Sequence, residues 1–475
     1  TVITPHRFSS LPLVRRLEDR LGIGLEYGAT VSLNTASTLT MLTMEQALSW
    51  SLNTEIIIVD EAACFPVHVL LDLANQTSRI VFSTTTSGYE GTGQGFRLRF
   101  EPSLSARYPN RKRLTMTQPV RWKSDDPVEA WVHRTLCLSD STADIAFSHQ
   151  EVTISPLSQD ELSTSDDCLQ AVSELLARAH HRTTPSDLHR IMDAPNHSLW
   201  VARAGKSIVG VCVVSREGGL SDDMVEPVFR GERRPKGHFI PETLSVHAAQ
   251  KMAVKQRFWR VVRIAVDGNF RRHKVASRLL STIEVEATRL GVDALGASFG
   301  ATESLLSFWS SVGFSIVRLG VRRGRSSGLY SVLVLRPTSN EGRTLLTALR
   351  ERYHQYFPEC LSDGLRNLEW SVVRGLFADR DCLNENISEL DADDTRRFVG
   401  RQQSFEIVSP SIKRVMTSLL SEAAENGDDT KWAIVVQKVF QHKPWDSLSI
   451  QGKAIDSRGI GHEHLRKAVE YFWNQ

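Results

Sequence analysis

The sequence predicts a multidomain α/β protein in which two α/β units are followed by a helical tail. Its 475 residues are too many for one hydrophobic core. Short apolar runs alternate with helical patterns through most of the chain, as is typical of α/β folds. After residue 338 the apolar residues recur only at helical spacing. We therefore expect three domains, spanning residues 1–148, 149–338 and 339–475.

The composition is typical of a soluble globular protein. Hydrophobic residues make up 41% and charged residues 24%, and the net charge is +2, so any nucleic-acid surface has to be a local basic patch. The six cysteines are scattered without a C-x-x-C pair, which argues against a zinc site or a disulfide framework. No apolar run predicts a membrane span, so we expect a cytoplasmic protein. The chain begins within a strand-like pattern and has no initiator Met. We therefore expect N-terminal sequence to be missing.

Residues 1–148 contain three candidate buried strands, in "TVIT", "EIIIVDEAA" and "RIVFSTTT". Helical patterns separate them, which predicts a parallel sheet with its ligands at the carboxyl ends of the strands. The second strand ends in Asp60 and Glu61. The first carboxylate can hold Mg²⁺ and the second can orient or deprotonate the water that attacks a γ-phosphate. Together with "STTT" after the next strand, this favours a helicase-like ATPase over an acidic pair that simply ends a strand.

The glycine-rich stretch "VFSTTTSGYEGTGQGF", residues 81–96, leaves two interpretations open. It is either a loop that cradles phosphate or a tight turn that needs glycine. The pattern G-x-x-x-x-G-K-[ST] is absent here and elsewhere in the chain, so the ATPase lobe lacks a P-loop and looks truncated. The basic residues that follow, between positions 107 and 121, either include an arginine finger or form a solvated face.

The second unit is recognised from "RFWRVVRIAVDGNFRRHKVASRLLSTIEVEATRLG". This pattern predicts a long strand ending at Val266, a basic loop, and a helix with Val275, Leu279, Ile283 and Leu290 on its apolar side. A strand in "ALGASFGA" and a helix in "ESLLSFWSSVGF" follow. Upstream, "AVSELLARAHHRTTPSDLHRIMDAP" predicts two helices, with Ser186 and Asp187 able to cap the second.

This order, with a loop of the form R-x-x-[G/K]-x-[G/A], resembles the Gcn5-related N-acetyltransferase (GNAT) fold. The resemblance implies that loop N–H groups at a helix N-terminus hold the pyrophosphate of acetyl-CoA, and that the preceding strand pairs with its pantetheine. The implied contacts are Ile264, Ala265, Val266, Arg271, Arg272, His273, Lys274, Val275, Ala276 and Ser277. Lys274 departs from the usual glycine. We expect it to accept helical geometry and add charge, while its Cβ restricts the approach to phosphate.

Motifs from both units together resemble the tRNA(Met) cytidine acetyltransferases. They include "VDEAA", "GYEGTGQGF", "AHHRTTPSDLHRIMDAP", "RRPKGHFIPETL" and "SFGATESLLSFWSSVGF". The resemblance runs from the first residue to about 338 and more thinly beyond. It implies transfer of acetyl from acetyl-CoA to the N4 amine of the wobble cytidine of elongator tRNA(Met), assisted by hydrolysis of ATP (or GTP) with Mg²⁺.

The resemblance also implies roles for individual residues. His180 is the candidate catalytic base or orienting group, with His181 as the neighbouring alternative. Two roles stay open for Arg263. It contacts the substrate or the cofactor, or it pairs with an acidic side chain. Arg121 is placed at the nucleotide. Ser304 and Ser311 occupy positions where relatives contact acetyl-CoA through Glu and Arg, so those contacts look lost.

The candidate contacts to phosphates of the anticodon stem-loop are basic residues, namely Arg322, Arg323, Arg325 and those between positions 107 and 121. The tail reads as a helical bundle, and the resemblance makes it a tRNA-binding tail. Its aromatic and basic stretch "VFQHKPW" either stacks on RNA or belongs to the core. Two other function classes stay open: a non-catalytic RNA-binding or scaffold homologue, and a protein N-acetyltransferase.

Overall fold

A computed structural model describes most of the chain. The described residues are 1–7, 11–33, 36–49, 54–85, 96, 100–137, 151–179, 185–324, 328–378, 387–422, 428–450, 453–454 and 458–474. In these ranges no helix is long and apolar enough to cross a lipid bilayer.

Backbone contacts group the chain into two compact units. One unit comprises Thr1–Val214, Arg263–Leu279 and Arg325–Gly328. The other comprises Ser215–Val262, Leu280–Gly324 and Leu329–Gln475. The domain boundaries expected at 148/149 and 338/339 stay predictions.

The N-terminal part of the first unit contains a five-stranded sheet in the order β2-β3-β1-β4-β5. Its strands are β1 (Val2–Thr4), β2 (Thr30–Ser32), β3 (Thr38–Thr43), β4 (Ile57–Val59) and β5 (Ile80–Phe82). The three predicted strands are β1, β4 and β5, which lie side by side and run parallel. The parallel α/β prediction is therefore confirmed. The helices of residues 1–137 are α1 (Leu11–Leu21), α2 (Met44–Ser49), α3 (Val67–Gln76), α4 (Glu101–Arg107) and α5 (Pro127–Thr135).

The core of this sheet follows from the apolar runs of the sequence. Ile3, Ile57 and Val59 are fully buried on the strands, and they share one cluster with Leu70 of α3 and Phe100. Residues Val69, Leu70, Leu73 and Ala74 form the buried face of α3, at the spacing of one helical face.

A seven-stranded mixed sheet has the order β11-β12-β10-β9-β8-β7-β6. Its strands are β6 (Val152–Leu157), β7 (His197–Ala204), β8 (Ser207–Gly218), β9 (Arg257–Val266), β10 (Ala294–Gly300), β11 (Ser315–Arg323) and β12 (Tyr330–Pro337). β9 and β10 are parallel, whereas β12 is antiparallel to both β10 and β11. The accompanying helices are α6 (Gln159–Thr164), α7 (Asp166–Ala179), α8 (Pro185–Asp193), α9 (Asp222–Phe229), α10 (Phe239–Ala248), α11 (Val275–Arg289) and α12 (Glu303–Ser311).

The helix after the basic loop, α11, differs from the prediction at its C-terminal end. Val275, Leu279 and Ile283 are buried, as the helical spacing predicts. Leu290 is 46% exposed and lies beyond the last residue of α11. The prediction was wrong for Leu290 because Gly291, at a φ of 66°, turns the chain out of the helix there.

The tail is helical, as predicted. Its helices are α13 (Asn340–Cys360), α14 (Trp370–Ala378), α15 (Glu389–Val399), α16 (Phe405–Glu422), α17 (Asp429–Val435), which continues as a π-helical turn (Val436–Phe440), and α18 (Arg458–Trp473). Phe377, Trp432 and Phe440 are fully buried, and Trp445 stacks on His462 with 4.0 Å between ring centroids. These contacts favour the packing interpretation of "VFQHKPW".

Gly342, in the first turn of α13, is packed against backbone. A Cβ there would lie 1.9 Å from the carbonyl oxygen of Asp293, and the Gly342 N–H is held by Ser339 Oγ at 3.0 Å. Backbone cannot move aside cheaply, so we expect Gly342→Ala to lower the free energy of unfolding by about 3 kcal/mol. Thermal unfolding measures the change. The matched control is Gly459→Ala in the first turn of α18, where a Cβ meets no atom within 4 Å. Equal melting temperatures for the two variants would contradict the prediction.

The buried carboxylate of Asp391 predicts a loss of stability in acid. Hydrogen bonds from Arg414, and further ones from Ser388 and Ser411, lower the pKa of Asp391 from 3.8 to about 2. A lowered folded-state pKa stabilises the fold above the unfolded-state value, and this stability is lost as the pH falls from about 4 to about 2. The contribution is about 2 kcal/mol at neutral pH. We expect Asp391→Asn to flatten the pH dependence of urea unfolding in this window, and an unchanged dependence would contradict the prediction.

Candidate functional site

Strand β9 leads into the candidate cofactor site. Its pairing with β10 covers Phe258–Val261, whereas β9 itself continues to Val266. Ala265 is buried, and Ile264 and Val266 are half-buried. Immediately after the strand, the Asp267 N–H donates to Val209 O of β8 at 2.9 Å. The end of β9 is thus held through β8.

A tight loop connects β9 to α11. A 3₁₀ turn (Gly268–Phe270) is capped by Asp267, whose Oδ1 accepts from the Asn269 N–H at 3.1 Å. Phe270 is 1% exposed and anchors the turn in the core. The helix begins after Lys274, whose carbonyl accepts the Arg278 N–H at 2.9 Å. The N–H groups of Val275, Ala276 and Ser277 therefore point out of the helix N-terminus, where the helix dipole favours an anion.

Lys274 does not take helical geometry, and this part of the prediction was wrong. Its φ is 59°, and Arg272 has a φ of 63°. Both residues lie in the left-handed region that favours glycine, because a Cβ there crowds the backbone. The physical reason is the turn itself, which reverses direction before the helix can start. The usual glycine at this position therefore relieves backbone strain that Lys274 has to bear.

The loop carries a concentrated positive charge. The side chains of Arg271, Arg272, His273 and Lys274 are exposed. Arg271 Nε donates to Val266 O at 3.4 Å, so the side chain folds back toward the end of β9. Below the loop, α11 lies close to β8 at Gly210, where a Cβ would lie 3.1 Å from Val275 and 3.2 Å from Leu279. A rigid, cationic helix N-terminus of this kind suits the pyrophosphate of a nucleotide cofactor.

Arg263, predicted as a catalytic residue, forms an ion pair. Its Nη2 lies 2.8 Å from Oδ2 of Asp187, and both side chains are mostly buried. Asp187 lies in the first turn of α8 because the helix begins at Pro185, so it is not the helix cap that the sequence suggested. Of the two open interpretations of Arg263, this contact supports pairing with an acid. His180 and His181 lie outside the described residues.

Ser304 and Ser311 lie on α12 and are both exposed. Ser311 Oγ donates to Phe308 O at 2.7 Å, and Ser304 Oγ lies 3.4 Å from Thr302 Oγ1. Each hydroxyl is thus used locally within the helix. The loss of the relatives' Glu and Arg contacts to acetyl-CoA at these two positions stays a prediction.

The carboxyl ends of β4 and β5 meet, as predicted for the nucleotide site. Asp60 follows β4, and Glu61 has a φ of 49°. Beyond it, the Ala62 N–H donates to Ser83 O at 2.9 Å and the Ala63 N–H to Thr84 Oγ1 at 3.1 Å. Residues 86–95 of the glycine-rich stretch lie outside the described residues. In the part of the chain that is described, no group of three or more His, Cys, Asp or Glu side chains could hold a metal ion. Mg²⁺ at Asp60 stays a prediction.

Several of the predicted basic contacts are engaged within the protein. Arg107 donates to Asn75 at 3.1 Å and Arg111 to Ser105 at 2.6 Å. Arg121 is exposed, with its guanidinium 5.6 Å from the centre of the Trp122 ring. Arg121 therefore keeps its charge available to a ligand.

The basic group at positions 322–325 also contains one arginine that is engaged within the protein and one that is exposed. Arg323 donates to Asn367 O at 2.9 Å and lies 5.2 Å from the Tyr330 ring centre. Arg322 is exposed, and Arg325 lies outside the described residues.

A buried network that joins β8, β9 and the start of α10 was not predicted from the sequence. The Glu217 side chain is fully buried, with Oε1 2.6 Å from Arg260 Nε and Oε2 accepting the Ile240 N–H at 2.7 Å. His238 Nδ1 accepts the Gly218 N–H at 2.8 Å. The available signal was the motif "RRPKGHFIPETL", which contains His238 and Ile240. Its partners on β8 and β9 cannot be identified without the sheet.

Comparison with known proteins agrees with these features. Residues 22–139 match the model of the RNA cytidine acetyltransferase NAT10/TcmA helicase domain, and residues 171–285 and 269–339 match that of GNAT acetyltransferase 2. The tRNA(Met) cytidine acetyltransferase TmcA of Nitrosococcus halophilus is 34% identical over 433 residues, covering 89% of this chain and 58% of the relative. TmcA of Vibrio cholerae is 30% identical, with the same coverage of both chains. TmcA of Haloferax volcanii is 33% identical, and the match covers 83% of this chain and 52% of the relative.

The chain spans a little over half the length of these relatives. The two family models match it in the order predicted from the sequence, the helicase-like part before the GNAT part. The predicted fold class is therefore confirmed. The chain thus carries a match to the helicase domain of the RNA cytidine acetyltransferase family, followed by a match to the GNAT acetyltransferases.

Proposed function

We propose that this chain carries the acetyltransferase activity of its family, using acetyl-CoA to acetylate the N4 amine of the wobble cytidine of elongator tRNA(Met). The observation that carries the proposal is the cationic loop at the N-terminus of α11, directly after the end of β9. Backbone N–H groups of Val275, Ala276 and Ser277 suit the pyrophosphate, with Arg271 and Lys274 supplying charge. The backbone of Ile264–Val266 offers strand-type pairing to the pantetheine. Bound acetyl-CoA supplies the activated acetyl group.

The chemistry requires help from the protein at the acceptor amine. The lone pair of this amine is delocalised into the cytosine ring, so the amine has to be oriented and its proton removed. We assign the removal of the amine proton to His180. Arg263, held by Asp187, is a positioning residue, because a guanidinium stays protonated and cannot act as a base. An anticodon loop suits this site because its bases can be splayed out of the stack.

We propose that the helicase-like part couples ATP or GTP hydrolysis to this reaction. Asp60 would hold Mg²⁺ through the nucleotide, Glu61 would orient the water and Arg121 would face the phosphates. The tail and Arg322, Arg323 and Arg325 would contact phosphates of the tRNA, adding affinity without choosing the base. The left-handed Lys274 favours one competing function, a scaffold homologue that no longer binds acetyl-CoA.

The test incubates the chain with labelled acetyl-CoA and an elongator tRNA(Met) transcript, with and without ATP and Mg²⁺. N4-acetylcytidine is then measured by mass spectrometry. We expect the modified nucleoside with wild type and its loss with His180→Ala, while calorimetry shows unchanged acetyl-CoA binding by that variant. Absence of acetyl-CoA binding by wild type would support the scaffold, and acetylation of a peptide amine alone would support a protein N-acetyltransferase.

A further inference from the structure

The segment between β8 and β9 presents a basic and aromatic surface that the proposed acetyl-transfer site does not use. It contains α9, the loop 230–238 and α10. The nine residues of the loop include four cationic side chains and one acidic one. Phe229 ends α9 and Phe239 begins α10, so an aromatic residue stands on each side of the loop. Here we call the loop 230–238 with Phe229 and Phe239 the insertion surface.

The cations of the insertion surface are only partly neutralised. Arg230 pairs with Glu226 at 2.8 Å, and Arg234 lies 3.8 Å from Glu242 with its side chain 79% exposed. Among the described residues, no carboxylate lies within 4 Å of Arg233 or Lys236, and both side chains are exposed. Three cations are thus open to an anionic partner.

The aromatic residues are exposed rather than used in the core. Phe229 is 37% and Phe239 is 42% exposed. Each ring has a cation beside it, with Lys251 Nζ 5.9 Å from the Phe229 centroid and the Arg260 guanidinium 5.4 Å from that of Phe239. Exposed rings interleaved with cations are the features that bind single-stranded nucleic acid, because bases stack on rings while cations contact phosphates.

The loop is held in one conformation by its own backbone. The carbonyl of Pro227 accepts the N–H groups of both Glu232 and Arg233, at 2.9 and 3.1 Å. Gly231 and Gly237 supply φ values of 73° and 82° at the bends. The far end of the loop is fixed by the Gly218–His238 hydrogen bond described above. A surface ordered before binding loses less conformational entropy when a ligand binds.

An anionic membrane is a poorer match for this surface. A helix that lies on a membrane presents a continuous apolar face to it. On α10, the apolar residues Ile240, Leu244 and Ala248 are buried within the protein. The exposed apolar groups here are rings separated by a polar loop, and arginine side chains match the planar geometry of phosphate contacts.

We propose that the insertion surface binds a single-stranded segment of the RNA acceptor, with Arg233, Arg234 and Lys236 on phosphates and Phe239 stacked on a base. This inference rests on the proposed function, because it takes the acceptor to be RNA. It adds a binding site whose contribution can be measured without acetyl transfer.

The test measures binding of a fluorescent, unstructured RNA of about 12 nucleotides by polarisation, without acetyl-CoA and over a range of salt concentrations. We expect wild type to prefer this RNA to the same sequence in a duplex. Arg233→Gln/Arg234→Gln should weaken binding about tenfold and lower the slope of log K against log salt by about 1.4. Phe239→Leu should weaken it about fivefold. The matched control is Arg15→Gln/Arg16→Gln, an exposed adjacent pair on α1, which should bind as wild type does.

Wild-type affinity in the Arg233→Gln/Arg234→Gln variant would overturn the inference. So would binding to phosphatidylserine vesicles with no binding of RNA. Failure of the proposed function looks different. A wild-type chain that binds RNA through this surface but forms no N4-acetylcytidine would contradict the acetyltransferase proposal and leave the insertion surface standing.

Discussion

Arg271→Gln combined with Lys274→Gln is expected to weaken acetyl-CoA binding about a hundredfold. Both cations lie at the N-terminus of α11, and both are exposed to a ligand. A hydrogen bond to a charged group contributes about 1.5 kcal/mol or more, so losing two of them removes about 3 kcal/mol of binding free energy. Titration calorimetry with acetyl-CoA measures the change.

The control for this variant is again Arg15→Gln/Arg16→Gln, which removes the same charge from α1. We expect the control to keep wild-type affinity. An equal loss in both variants would indicate a general electrostatic effect. No loss in either would contradict the prediction and exclude the side chains of Arg271 and Lys274 as pyrophosphate contacts. The backbone N–H groups remain in the Arg271→Gln/Lys274→Gln variant, so we expect its acetyl-CoA binding to be weakened and not abolished.

Glu217→Gln is expected to destabilise the second unit by about 3 kcal/mol. The carboxylate is fully buried, and it holds both the Arg260 side chain and the Ile240 N–H. Removing its charge leaves a largely buried guanidinium without its counter-ion, and breaking a buried pair in this way costs about 3 kcal/mol or more. Hydrogen exchange of peptides covering β8, β9 and α10, followed as urea is increased, measures the local loss.

The matched control is Glu226→Gln, which removes an exposed carboxylate paired with Arg230 and Lys251. Solvent screens this pair, so we expect no resolvable change in exchange. Equal hydrogen exchange in the two variants would contradict the prediction. It would show that water replaces the Glu217 carboxylate as the partner of the Arg260 guanidinium. If Glu217→Gln also weakens RNA binding, the loss should follow the loosening of the loop 230–238, because Ile240 and His238 anchor its far end.

Much of the fold was predictable from local patterns. The strands β1, β4 and β5, the long strand β9 and helix α11 each carry a hydrophobic pattern that indicates the element directly. Helix α15 carries no such pattern, because "ELDADDTRRFV" is mostly polar and buries little apolar surface. Its stability depends on a cap at Ser388 and on the pairing of Asp391 with Arg414 of α16, and neither leaves a hydrophobic period in the sequence.

The order of the elements, the acidic end of β4 and the cationic loop before α11 can all be recognised in the amino-acid pattern. Motifs and hydrophobic periodicity are local properties, because they depend only on residues that are close together in the sequence. Three features could be identified only once the chain was folded. Lys274 is left-handed, Arg263 pairs with Asp187, and Glu217 is buried against Arg260, 43 residues away. Those features depend on which side chains the sheet brings together and on how sharply the chain has to turn, and both are consequences of packing.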